Sequence, residues 1–192
     1  MTSTEEAGTF LTGQCLIAMP TMGDPRFERS VVYLCSHSSE GALGIIVNKP
    51  VEEPTFSDLC EQLGIPLKID GALYPIYFGG PVEQGRGFVL HTADFEAGED
   101  GMLIDEQIGL SATLDSLRAI ADGRGPERGL VSIGYAGWAP GQLEQEIAAN
   151  GWLHCEADVD LVFGQHDVGK WEAALSRLGV RPELLSGEAG HA

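Results

Sequence analysis

Short apolar runs and helix-spaced apolar residues succeed one another along this chain. Runs rich in β-branched and aromatic residues, bounded by glycine, proline or polar residues, predict strands. Apolar residues three or four positions apart, after a Ser, Thr or Pro, predict helices. The predicted strands are residues 14–19, 31–36, 42–48, 87–92, 107–110, 130–135 and 152–157. The predicted helices begin after Thr55, after Ser111 or Thr113, at Pro140, and near Val168.

Local patterns refine this outline. Thr55 and Asp58 form the two halves of a capping box, and Gly64 suits the position just after the helix. The polar gap SHSSEG between the second and third runs predicts a hairpin. Spacing also predicts which residues share the buried face of a helix. These are Leu114, Leu117 and Ala121 in one helix, and Val168, Trp171, Leu175 and Leu178 in the last.

The order of the elements indicates a fold class. Strands are grouped early and helices come mostly later, whereas a doubly wound sheet would alternate them strictly. The mixture favours an α+β fold, and the acidic stretch 94–106 predicts an exposed loop.

Charge narrows the possible partners. The 192 residues carry 29 acids and 11 bases, for a formal net charge of −18. Proteins that bind nucleic acids or anionic membranes usually present a basic face. The composition therefore argues against both as direct partners. Its 43% hydrophobic residues exclude a disordered chain.

The ends and the cysteines indicate the compartment. The start MTSTEEAGTF has neither the basic nor the apolar region of a signal peptide, and no apolar run reaches membrane-spanning length. We expect a cytoplasmic single domain over residues 1–192, with frayed ends at about 1–9 and 186–192. The cysteines are scattered without a CxxC pair, which is typical of buried thiols in a reducing compartment. They are Cys15, Cys35, Cys60 and Cys155.

Four collinear segments resemble the AlgH/YqgE family of bacterial proteins, whose biochemistry is uncharacterised. The resemblance implies an α+β fold with a mixed, bifurcated sheet that closes into a pseudo-barrel flanked by helices. It also implies the family label of transcriptional regulator, which rests on a genetic association with alginate production. The segments are residues 13–50, 77–91, 134–153 and 170–179.

Cys35 and His37 are the main candidates for catalysis. Residues two apart on a strand point to one face, and an imidazole beside a thiol can activate it. A thiol-based enzyme or redox sensor is therefore one hypothesis; a buried cysteine beside a loop histidine is the alternative. A metal site would need these two residues and His91 on neighbouring strands. No local spacing matches a zinc site, and we expect neither a metal nor a cofactor.

Glycine-rich turns supply further candidates for ligand binding. Gly79 and Gly80 either allow a tight turn or let backbone N–H groups approach a ligand. The following residues fail the phosphate-loop pattern, because Arg86 replaces the lysine and a strand replaces the helix. Asn48 either contributes to the same ligand site or turns the chain by bonding to the backbone.

The segment GYAGWAPGQLEQEI carries the last group of candidates. Tyr135, Gly137 and Trp138 precede a helix start, where a ligand anion could sit beneath an aromatic ring. Gln142, in the first turn, could donate to that ligand. Alternatively, Trp138 simply packs on the helix. In the loop before the second strand, Arg26 and Arg29 either clamp an anion or pair with nearby acids such as Asp24.

Glycines, aromatics and amides without a clear acid–base pair suit recognition better than catalysis. The sequence therefore predicts a non-catalytic binding or regulatory module acting through a protein or small-molecule partner. It defines neither that partner nor the oligomeric state.

Overall fold

The computed structural model describes residues 10–71, 74–96, 98, 101–112, 114–164 and 166–185. The ends predicted to fray, 1–9 and 186–192, lie outside the described residues, as does Thr113. The strands are β1 (Gln14–Ala18), β2 (Val31–Ser38), β3 (Gly41–Ile46), β4 (Ile76–Phe78), β5 (Val82–Thr92), β6 (Met102–Leu103), β7 (Ile108–Ser111), β8 (Gly129–Trp138) and β9 (Trp152–Glu156). The α-helices are α1 (Phe56–Gln62), α2 (Leu114–Ala121), α3 (Gln142–Ala148), α4 (Val159–Phe163) and α5 (Asp167–Arg177).

The strands form one curled sheet that is mixed and forked. Its main path runs β6-β7-β5-β8-β3-β2-β1-β9 with antiparallel neighbours throughout. β3 and β8 pair over only three residues, and the short strand β4 then lies between them, parallel to β8. This arrangement confirms the predicted α+β class and the half-barrel curl of the sheet.

Gly79 and Gly80 make the fork possible. Gly79 donates its N–H to the Ile133 carbonyl on β8 and accepts the Ile46 N–H from β3, both at 2.9 Å. A Cβ at Gly79 would lie 1.8 Å from the Ser132 hydroxyl oxygen, and one at Gly80 would lie 2.1 Å from the Tyr135 backbone. Gly80 also has a φ of +154°, so only glycine fits both constraints.

The curl of the sheet creates separate apolar cores on its two faces. Val31 and Tyr33 of β2 point into the larger core, beneath α4 and α5. Val32 and Leu34 point into a second core beneath α3. Because both faces of β2 are covered, its apolar run is continuous rather than alternating.

A β-bulge interrupts the β2–β3 hairpin. Leu34 faces Gly44 and Ser36 faces Leu43, so Cys35 is an extra residue with no partner of its own on β3. One extra residue changes which face the following side chains occupy. Cys35 remains in the larger core, whereas His37 contacts Leu11 and α3 on the opposite side. The expectation that these two residues share a face is therefore wrong.

The helices confirm some sequence predictions and correct others. The α1 capping box is complete, with Thr55 and Asp58 each bonding to the other's backbone. Val168 is 95% exposed, because the buried face of α5 centres on Lys170, Trp171, Ala174 and Leu175. Leu114, predicted to lie on the buried face of its helix, is 47% exposed. Ser111, one of the two predicted helix starts, is instead the last residue of β7. The sequence patterns predicted neither α4 nor the short strand β6 within the acidic stretch.

None of the helices among the described residues is long and apolar enough to cross a membrane.

Candidate functional site

Cys35 is buried and separated from His37. The Cys35 Sγ lies 3.8 Å from the Tyr33 carbonyl oxygen, and Cys35 is only 2% exposed. Burial raises the pKa of the Cys35 thiol well above its ordinary range. The structure therefore does not form the nucleophile pair that the spacing suggested.

Both ring nitrogens of His37 are occupied. The Leu11 backbone N–H donates to Nδ1 at 3.0 Å. That fixes the proton on Nε2, which donates to the Glu144 carboxylate at 2.9 Å. The imidazole thus links the segment before β1 to α3, and it has no free nitrogen for acid–base work.

His91 lies apart from both, on β5. The His91 residue is 2% exposed, and its Nδ1 bonds to the Thr92 carbonyl at 2.9 Å. Its Nε2 has no hydrogen-bond partner among the residues that the structure describes. Phe95 contacts the ring edge-on, and a Cβ at Gly109 would lie 2.6 Å from the ring. Within the described part of the chain, no three His, Cys, Asp or Glu residues gather as metal ligands. The structure thus does not bring His91 together with Cys35 and His37.

Arg86 and Tyr135 lie around Phe88, on the side of the larger core. The Arg86 guanidinium is 5.2 Å from the Phe88 ring centre and 3.5 Å from Glu83. Tyr135 packs edge-on against the same ring. Since Tyr135 and Trp138 project from opposite faces of β8, they do not cover one ligand together.

Trp138 belongs instead to an aromatic cleft of about 310 Å³ on the α3 side of the sheet. Two of the candidates, Gly137 and Gln142, line it together with Trp138. The other lining residues are Met22, Asp24, Arg26, Phe27, Pro81, Val82, Glu146 and Trp152. Gly80 adjoins the lining at Pro81. The structure therefore brings together the predicted candidates from the corner before α3, namely Gly137, Trp138 and Gln142.

Three aromatic rings form the apolar wall of the aromatic cleft. Trp138 ends β8 and Trp152 begins β9, and their ring centres lie 5.9 Å apart in an edge-to-face arrangement. Phe27 lies 5.6 Å from Trp152 and 6.5 Å from Trp138. Both indoles are buried, at 7% and 1% exposed, and Phe27 is half-buried. Such edge-to-face contacts hold the rings in fixed orientations.

One carboxylate fixes both indoles. Glu146 Oε2 accepts the Trp138 indole N–H at 2.6 Å and the Trp152 indole N–H at 3.3 Å. Glu146 lies one helical turn after Gln142, so both side chains project from the same face of α3. Buried indole N–H groups require an acceptor, and Glu146 supplies it for two at once.

Gln142 acts within the helix start rather than as a ligand donor. Its Oε1 accepts the Ala139 N–H at 2.9 Å, and its Nε2 lies 3.5 Å from Glu146 Oε1. Helix α3 has seven residues, and Glu144 stands in its first turn. An anion at this helix start would lie close to the Glu144 carboxylate, which repels it.

The loop 19–30 covers the aromatic cleft and is clipped to the sheet by Asn48. The Asn48 side chain accepts the Val31 N–H at 2.9 Å and donates to the Arg29 carbonyl at 2.8 Å. Lys49 donates to the Arg26 carbonyl at 2.8 Å. Asn48 thus bonds to the backbone where this loop joins β2, and it does not turn its own strand.

The arginines of this loop pair with acids. Arg26 binds Asp24 through Nε and Nη2, as the local-pairing alternative predicted. Arg29 pairs with Glu172 and lies 4.3 Å from the centre of the Trp171 ring. It contacts a second recess of about 430 Å³ on the other side of the loop, which Trp171 also lines.

A larger cavity, of about 920 Å³, lies between β4 and the α4–α5 pair. Its polar groups bond to one another: the Tyr77 hydroxyl donates to Asp167 at 2.9 Å, and Arg128 donates to Asp160 at 2.8 Å. Tyr77 and Arg128 are thus held by acids that line the same cavity.

Phe27, Glu146 and Trp152 line the aromatic cleft although no sequence pattern had marked them as candidates. One pattern could have found Glu146: an acid on a short helix midway between two tryptophans. Joining it to Phe27 requires the tertiary fold, because the loop approaches α3 from a distant part of the chain.

Comparisons with known proteins agree with the fold. A family model described as AlgH-like (DUF179) matches residues 15–183. A UPF0301 protein of Rhodopseudomonas palustris strain HaA2 is 55% identical, with 97% of this chain and 89% of that protein covered. UPF0301 protein blr1492 of Bradyrhizobium diazoefficiens is 54% identical, with 95% and 89% covered.

Two solved structures are similar as well. The solution structure of the AlgH protein from Pseudomonas aeruginosa (PA0405, UPF0301) is 40% identical with a TM-score of 0.77, covering 98% of this chain and 99% of that one. Protein DIP2367 from Corynebacterium diphtheriae, at 23% identity and a TM-score of 0.69, covers 96% and 92% and shares the fold. The family model, the relatives and the AlgH structure together show that the chain belongs to the AlgH-like family.

Proposed function

We propose that this protein is a non-catalytic binding module that takes a small molecule, or a short segment of a protein partner, in the aromatic cleft. The observation that carries the proposal is the cleft itself, with two indoles held by one carboxylate beneath a clipped loop. Binding sites for small ligands are typically concave and mostly apolar, with a few fixed polar groups. The aromatic cleft is concave, and it sets an apolar wall of three rings against polar side chains, namely Gln142, Glu146 and the Asp24–Arg26 pair.

The placement of the reactive side chains supports binding over catalysis. The Cys35 thiol is buried with a raised pKa, and both nitrogens of His37 are bonded. Lys170, 3% exposed, donates to two backbone carbonyls and lies 3.4 Å from Asp167. No observation favours the thiol-based alternative, since a nucleophile needs an accessible thiolate.

The Lys and Arg side chains favour a regulatory role that does not depend on direct contact with DNA. Of the eleven Lys and Arg side chains, nine lie within 4.0 Å of a carboxylate of a described residue. Paired cations present a weak positive field to phosphates, and the net charge adds repulsion. Regulation would then pass through the bound ligand or a protein partner rather than through direct contact with DNA.

The three tryptophans allow a direct test. Their indole N–H resonances are followed in ¹⁵N-labelled protein while a set of neutral, cationic and anionic fragments is added. We expect binders to shift the Trp138 and Trp152 resonances and to leave Trp171, beyond the loop, unchanged. Trp138→Phe should abolish the Trp152 response to the same fragments. Fragments that shift only Trp171, or no fragment that shifts any indole, would refute the proposal.

A further inference from the structure

The charges that line the aromatic cleft are unevenly balanced. Three charged side chains of the described ranges line it: Asp24, Arg26 and Glu146. The Arg26 guanidinium is committed to Asp24, with Nη2–Oδ2 at 2.7 Å and Nε within 3.2 Å of both carboxylate oxygens. Asp24 also accepts the Arg26 backbone N–H at 3.0 Å, which anchors the pair at the start of the short 3-10 helix Pro25–Phe27. The cleft therefore keeps one negative charge, on Glu146, for which the described part of the chain supplies no cationic partner.

The Glu146 carboxylate has one occupied oxygen and one with spare capacity. Oε2 accepts both indole N–H groups. Oε1 receives only the Gln142 amide, at 3.5 Å, among the described residues. A carboxylate offers about four lone-pair sites, so Oε1 can accept further donors. The two indoles hold Oε2 from different strands, β8 and β9.

The surroundings of Oε1 favour a positively charged donor. Aromatic rings attract cations, and a guanidinium also stacks on their faces. A net charge of −18 concentrates cations around the whole molecule. A neutral donor would gain none of this attraction, and an anion would be repelled by Glu146.

We infer that the aromatic cleft selects an organic cation carrying N–H donors, a guanidinium or a primary ammonium group, which bonds to Glu146 Oε1 beside the aromatic rings. This inference rests on the proposed function and specifies its ligand chemistry. A free small amine or guanidine and a basic side chain of a protein partner share that chemistry.

A matched pair of probes tests the charge requirement. N-acetyl-arginine amide and N-acetyl-citrulline amide have nearly the same shape, but only the first carries a charge. We expect the arginine probe to shift the Trp138 and Trp152 indole resonances and to bind at least about tenfold more tightly than the citrulline probe, the ratio expected for a charged hydrogen bond. The preference should weaken with added salt.

A conservative variant tests the role of Glu146. Glu146→Gln keeps an oxygen to accept the indole N–H groups but removes the charge. We expect this variant to weaken the arginine probe at least about tenfold and to leave the citrulline probe unchanged. Glu61→Gln, at an exposed position of α1, is the matched control and should change the binding of neither probe. Near-ultraviolet circular dichroism of the tryptophans checks that the Glu146→Gln cleft remains folded.

The outcomes separate the inference from the function on which it rests. Equal binding of the two probes, or no effect of Glu146→Gln on the arginine probe, would overturn the cation inference. Neutral or anionic fragments that alone shift the cleft indoles would overturn it too, while leaving the binding function standing. Silence from every fragment would defeat both. Agmatine and an arginine-containing tripeptide then identify the source: tighter binding of agmatine indicates a free compound, and tighter binding of the peptide a protein partner.

Discussion

Replacing Lys170 by methionine should destabilise the protein strongly, because the ammonium group satisfies three acceptors in the interior. Nζ lies 2.6 Å from the Val47 carbonyl and 2.9 Å from the Val162 carbonyl. It also lies 3.4 Å from Asp167 Oδ1, and the lysine side chain is 3% exposed. Burial lowers the pKa of Lys170, and the Asp167 carboxylate opposes that shift. The group joins the end of β3 to α4 and α5, so its loss affects three elements at once.

The magnitude follows from the partners that remain. Lys170→Met leaves two interior carbonyls without a donor, at a cost of about 1–3 kcal/mol each. It also leaves Asp167 with the Tyr77 hydroxyl but without its cation. The methionine recovers part of this by burying apolar surface. Removal of one partner of a buried ion pair typically costs about 3–5 kcal/mol, and we expect a loss of unfolding free energy in that range.

Urea unfolding, followed by tryptophan fluorescence and by far-ultraviolet circular dichroism, measures the effect. Asp167→Asn keeps acceptors for Lys170 and Tyr77 and should cost less than half as much. Lys68→Met is the matched control, because Lys68 is 65% exposed and pairs with Asp122 at the surface, where an ion pair contributes about 0–1 kcal/mol. A Lys170→Met loss below about 1 kcal/mol, or one equal to that of Lys68→Met, would refute the reasoning.

Three further predictions concern other buried groups. Burial lowers the pKa of His91. Below about pH 6.5 the unfolded chain therefore binds a proton that the folded chain does not, and the free energy of unfolding decreases as the pH decreases. His91→Gln should flatten the profile of the urea midpoint between about pH 7 and pH 5; parallel profiles would contradict this. Alkylation of Cys35, mapped by mass spectrometry, should occur only at the rate of unfolding and should show no native inflection near or below the ordinary thiol pKa of about 8.5. His37→Ala should change that rate only through stability, and a slower native reaction after correcting for stability would revive the paired thiol. Asn48→Ala should cost about 1–3 kcal/mol by leaving the Val31 N–H without its acceptor, with faster hydrogen exchange at Val31; unchanged exchange there would show that the clip is dispensable.

Local chemistry made part of this structure predictable. The capping box at Thr55 and Asp58 and the hairpin between β2 and β3 depend on residues close in sequence, and both are present. The corner at Gly137 and Trp138 was identified by its unusual composition, and it does line a cleft.

The rest depends on register and on long-range approach. The run VVYLC contains no alternation of apolar and polar residues that would reveal the bulge at Cys35, because both faces of β2 are buried. The apolar spacing in α5 placed Val168 on the buried face. Lys170 is buried instead, because its ammonium group donates hydrogen bonds to two interior carbonyls. Glu146 gained its role only when β8, α3 and β9 brought two indoles to one carboxylate.

The position of β4 in the fork, between β3 and β8, affects how the chain folds. Its three residues pair with β8, more than fifty positions later, and Gly79 just after it bonds to β3, more than thirty positions earlier. Contacts between distant segments slow folding, since the intervening loops must be closed before the contacts form. The fork can close only after strands from both halves of the chain have come together. We therefore expect neither half to be stable when expressed alone, and the full chain to unfold in one cooperative transition.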